Sequence, residues 1–155
     1  QYIANNEVEI NDPEVARKMI KLMDVLDEVD DIVNVYSINK DNISLMGYSM
    51  GGTGTWNLAL SYPTLFARIA PLSGSIRVQP EYIEKLKNIP VWAFVGSADT
   101  IVPPDSSMEF VAALKEAGGN AGITIFGDAD HFTVPSLTYL DKDIDLISWL
   151  TDKAD

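Results

Sequence analysis

Three residues of this chain can together activate a hydroxyl: a serine framed by glycines, a single histidine, and an aspartate at the end of an apolar run. The serine is Ser49, in "LMGYSMGGTG" at 45–54, with Gly47 two places before it and Gly51 two places after. A serine hydroxyl is a weak nucleophile until a base takes its proton. His131, in "GDADHFTVP", is the sole imidazole and therefore the candidate base. A carboxylate must then orient the ring and balance the charge it acquires. Asp99, in "VGSADTIVPP", is the candidate, with Asp128 and Asp130 as rivals because they flank the histidine. A near sequence neighbour, however, seldom reaches the far ring nitrogen. Such a set attacks a carbonyl carbon and forms a covalent acyl intermediate.

The glycines make sense if Ser49 sits on a sharp turn between a strand and a helix. Residues two before and two after the serine come close together in such a turn, and Gly47 and Gly51 are expected to permit that approach. Gly52 and Gly54 are expected to let the following helix lie tightly on a sheet. The helix N-terminus then faces the serine, and the Met50 N–H can stabilise a developing oxyanion.

The elements around this turn follow from periodicity and punctuation. Short apolar runs at 42–47, 67–74, 90–99 and 122–127 predict buried strands. Helices are predicted at 50–62, stopped by Pro63, at 81–88, at 104–119 with a Gly-Gly stop, and at 141–153. An earlier helix over 12–29 has Asp12 as cap, Pro13 in its first turn, and an apolar stripe of Val15, Met19, Leu22, Met23, Leu26 and Val29. Strands alternating with helices predict an α/β fold, with a parallel sheet of about four strands flanked by helices on both faces. Asp99 and His131 then share the sheet edge where Ser49 emerges.

The 155 residues amount to one domain, 1–155, with an ordinary globular composition of 46% apolar and 22% charged residues. A net charge of −12 makes nucleic acid and anionic membranes poor partners. No apolar run reaches the ~18–20 residues of a membrane span. The absence of cysteine rules out disulfides and thiolate chemistry, and fits cytoplasm and export alike.

The segments "GYSMGGTGTWNLALSYPTLFARIAPLSG", "PVWAFVGSADTIVPPDSSMEFVAALKEAGG" and "DADHFTVP…SWL" resemble the bacterial carboxylesterases of the α/β-hydrolase superfamily. The group is the phospholipase/carboxylesterase-like one related to dienelactone hydrolases and prolyl oligopeptidases. The resemblance runs from about residue 12 to 151. It implies Ser49 as nucleophile, Asp99 as acid, His131 as base and the Met50 amide as one oxyanion donor. It also implies a small-molecule carboxylic ester, short-chain or aryl, as substrate, and no cofactor or metal. Tyr48, Ile101 and Phe132, with Trp56 and Val102, are candidates for an apolar pocket, the first three as substrate contacts. Members of the family carry several strands before the nucleophile strand, and a loop there supplies a second oxyanion donor. Only about 42 residues precede that strand here. The fold is therefore expected to correspond to the C-terminal half of an α/β-hydrolase, incomplete at its N-terminus, with 42–47 at an open sheet edge. That edge is expected to pair with an N-terminal segment or a second copy of the chain. Alternative readings are a catalytically silent hydrolase-like binding or assembly module or an inactive fragment, and a feruloyl or acetyl-xylan esterase or an oligopeptidase.

Overall fold

The computed structural model describes residues 38–151 and, before them, 28–29, 31–33 and 35–36. The chain forms two compact units, 1–40 and 41–155. Within the first, the helix expected over 12–29 falls outside the described residues except for Glu28 and Val29, which are helical.

The second unit is built as β1 (Ser44–Tyr48), α1 (Met50–Ser61), β2 (Arg68–Leu72), α2 (Pro80–Leu86), β3 (Val91–Gly96), α3 (Asp105–Glu116), β4 (Ala121–Phe126), α4 (Val134–Leu140) and α5 (Leu146–Thr151). The four strands form one sheet in the order β1-β2-β3-β4. Every pairing is parallel, with Met46 opposite Ala70, Leu72 opposite Phe94 and Ala93 opposite Ile123. Successive crossovers advance in one direction across the sheet, so the right-handed rule places α1, α2 and α3 on the same face. There α1 packs on β1 and β2, and α3 on β3 and β4. Trp56 of α1 meets Phe110 of α3 edge to face, with ring centroids 5.2 Å apart.

The opposite face is covered by the C-terminal helices. Ala70 and Leu72 of β2 and Phe94 of β3 pack there against Val134 of α4 and Leu146 and Leu150 of α5. The Ser44 hydroxyl donates to the Leu150 carbonyl at 2.6 Å, tying the start of β1 to α5. The inner strands β2 and β3 are almost wholly buried, whereas β1 is half-buried along its whole length. Among the described residues β1 pairs only with β2.

Helix ends follow local chemistry. Gly118, at φ 82°, ends α3. Its N–H donates to Lys115 and that of Gly119 to Leu114, closing a Schellman turn. Two departures from the sequence reading concern the C-terminal region. Residues 134–140 form α4, which was not expected because Pro135, Thr138 and Tyr139 are weak helix formers. The terminal helix begins at Leu146 instead of 141, because Asp145 caps it by accepting the Ser148 N–H at 3.1 Å.

Trp56 is wholly buried, and its indole N–H is buried without a hydrogen-bond partner among the described residues. Trp56→Ala leaves a large void and is expected to cost about 3–5 kcal/mol in urea unfolding. Trp56→Phe keeps an aromatic ring and removes the unpaired donor, so its cost should be clearly smaller.

Candidate active site

Ser49 stands between β1 and α1 with φ 58° and ψ −116°, a conformation that costs a non-glycine residue of order 1–3 kcal/mol. The neighbouring backbone holds it there. The Ser49 N–H donates to the Leu72 carbonyl at 2.9 Å, and the Ser49 carbonyl accepts from Thr53 at 3.0 Å. The turn is possible because position 47 has no side chain. A Cβ there would lie 2.3 Å from the Gly51 carbonyl oxygen and 2.9 Å from Thr55 Oγ1. A Cβ on Gly52 would strike the Leu72 carbonyl oxygen at 2.3 Å, so glycine lets α1 lie against the end of β2.

The sequence reading overstated the demand at the other two glycines. Among the described residues, a Cβ on Gly51 or Gly54 meets nothing within 4 Å. Gly51 matters through its backbone, which faces position 47, and Gly54 lies away from the sheet.

The turn brings Ser49 to His131. The serine Oγ and the histidine Nε2 are 2.8 Å apart, across 82 residues of sequence. The other ring nitrogen, Nδ1, lies 2.7 Å from Asp99 Oδ2. Both His131 and Asp99 are buried, at 4% exposure each, so this carboxylate–imidazole contact is shielded from water. The second carboxylate oxygen, Oδ1, accepts the N–H groups of Ile101 at 3.0 Å and Val102 at 2.8 Å. Burial pushes the Asp99 pKa up, but the bonds from Val102, His131 and Ile101 more than offset it. The carboxyl accordingly sits below its ordinary value.

Asp99, and neither rival, holds the ring nitrogen Nδ1. Asp130 accepts the Thr133 N–H at 2.9 Å and the Thr133 hydroxyl, and its own pKa is lowered chiefly by that hydroxyl. Asp128 has φ 56°, and its N–H donates to Ser97 Oγ at 2.9 Å.

The remaining predicted residues divide into two groups. Met50 opens α1, where the first N–H groups have no intrahelical acceptor. Its side chain, with those of Ile101 and Phe132, is exposed, and Phe132 meets the His131 ring edge to face at 5.6 Å. Val102 is half-buried and serves Asp99 through its backbone. Tyr48 is half-buried too, and its hydroxyl donates to the His131 carbonyl at 2.9 Å. Trp56 does not line a pocket; it is core.

One supporting feature was not anticipated. The Ile101 and Val102 donors form an Asx-type turn on Asp99, for which the signal was an aspartate at a strand end followed by a short loop.

This arrangement can deprotonate a serine hydroxyl through a neutral imidazole and hold the resulting imidazolium against a carboxylate. Comparison with known proteins agrees with the fold that carries it. A crystal structure of a thermostable esterase superposes with a TM-score of 0.76 at 30% identity, covering 84% of this chain and 36% of that one. A protein of Escherichia coli O157:H7 assigned as a carboxymethylenebutenolidase is 30% identical over 117 residues, 69% of this chain and 43% of that protein. NocK of Nocardia uniformis subsp. tsuyamanensis, assigned as an esterase, is 30% identical over 77 residues, 50% of this chain and 22% of that protein. The chain thus spans less than half the length of each of these relatives. The Dienelactone hydrolase family model matches residues 4–144, and the chain belongs to that family, within the α/β-hydrolase superfamily.

Proposed function

We propose that this chain carries the catalytic residues of a serine esterase, with Ser49 as nucleophile, His131 as base and Asp99 as the orienting acid. The reading rests above all on the 2.8 Å contact between Ser49 Oγ and His131 Nε2 at a strained strand-to-helix turn. In this mechanism Nε2 takes the Ser49 proton as Oγ attacks the ester carbonyl. The oxyanion of the tetrahedral intermediate accepts from the Met50 N–H. Nε2 then passes its proton to the leaving alcohol as the carbon–oxygen bond breaks, leaving an acyl-serine. Water, deprotonated by the same nitrogen, releases the acid and regenerates the serine.

Exposed Met50, Ile101 and Phe132 form an apolar fringe beside these groups and favour small acyl or aryl esters. The reading also gives the outer edge of β1 to a pairing partner, either a preceding segment or a second copy. A loop of that partner would supply the second oxyanion donor. A second donor of this kind is typically worth ~10²–10³ in rate, so supplying that partner should raise turnover by a comparable factor.

A fluorophosphonate probe tests the chemistry directly. Ser49 should be the labelled residue, with labelling abolished in Ser49→Ala and slowed by about 10²–10⁴ in Asp99→Asn. No labelling of a folded sample would instead support a silent binding module.

Asp99 also makes a pH prediction for stability. Its folded-state pKa is depressed, so its contribution is present above the ordinary carboxylate pKa of about 4 and is lost as pH falls through the depressed value. In urea unfolding, the stability gap between wild type and Asp99→Asn should close as pH falls below about 4.

A further inference from the structure

His131 lies on an irregular loop between β4 and α4, and two contacts tie that loop to its own side of the site. The Ala98 N–H donates to the Ala129 carbonyl at 3.0 Å, and the Asp128 N–H donates to Ser97 Oγ at 2.9 Å. A third tie comes from across the site. The Tyr48 hydroxyl donates to the His131 carbonyl at 2.9 Å, and the tyrosine ring lies against the imidazole with centroids 5.0 Å apart and planes tilted by 36°.

Tyr48 ends β1 and immediately precedes Ser49. Adjacent residues at one strand end therefore hold the same histidine twice: Ser49 Oγ at the ring and Tyr48 at the peptide carbonyl. The carbonyl bond fixes the backbone from which the imidazole projects, and the ring contact restricts its rotation. Burial first, then the negative charges of Asp99 and Asp130, raise the Tyr48 pKa above that of an ordinary phenol. Like any phenol, the hydroxyl keeps its proton for donation at neutral pH.

We propose that Tyr48 is a positioning residue that holds His131 in register with Ser49 through the histidine's own peptide group. The proposal rests on the reading of Ser49 and His131 as nucleophile and base. It gives Tyr48 a different task from the substrate contact expected from sequence.

Tyr48→Phe keeps the ring and deletes the hydroxyl, and Tyr48→Leu removes both contacts. Loss of one hydrogen bond of ordinary strength should lower kcat on a short-chain aryl ester, and the fluorophosphonate labelling rate, about tenfold with KM unchanged. Tyr48→Leu should lower both further. Proton–nitrogen NMR spectra of the imidazole give a readout independent of turnover, and the His131 ring signals should broaden in Tyr48→Phe. Unchanged kcat with unchanged ring signals would overturn the proposal, as would a rise in KM at constant kcat, which would make Tyr48 a substrate contact. If the wild-type protein neither labels nor turns over ester, the esterase reading fails and the ring spectra alone decide: broadening upholds the positioning role, and sharp, unshifted signals refute it.

Discussion

The whole site hangs on a space in which no side chain fits. At position 47 a Cβ would sit 2.3 Å from the Gly51 carbonyl oxygen, inside any tolerable contact. Glycine there allows β1 to turn into α1 within a single residue, and that residue is Ser49, held at positive φ. From this one close approach follow the direction in which the hydroxyl leaves the strand, toward His131, and the placement of the helix N-terminus beside it. The strain is small beside the packing that maintains it, since both neighbouring peptide groups of the turn are hydrogen-bonded.

A second constraint is electrostatic. A buried carboxylate is costly unless every oxygen is satisfied. Asp99 meets that condition with two backbone donors on one oxygen and His131 on the other. Those bonds keep it charged despite burial, which is the state that can stabilise an imidazolium. The loop after β3 is therefore as much a part of the site as the side chains themselves.

Much of this was legible in the letters because buried parallel strands are short, continuous apolar runs with glycine or polar stops. The run at 42–47 became β1 at Ser44–Tyr48, and that at 122–127 became β4 at Ala121–Phe126. Ser49, Asp99 and His131 could be placed at one sheet edge because each follows such a run. Two kinds of information were hidden. Helix α4 depends on tertiary packing of Val134 against the sheet, which overrides poor local propensity. The bond between Tyr48 and His131 spans 83 residues and leaves no local pattern to read. Gly51 and Gly54 were over-interpreted for a related reason: composition shows where glycine is, and only the surroundings show what it avoids.

The distance along the chain between the reacting partners has a kinetic consequence. Ser49 and His131 are 82 residues apart, and every strand of the described sheet lies between or beside them. Contacts so remote in sequence carry a high loop-closure entropy and tend to form late. During folding, the hydroxyl therefore stays chemically quiet until β4 has docked and delivered the imidazole, so reactivity arrives only with the finished sheet.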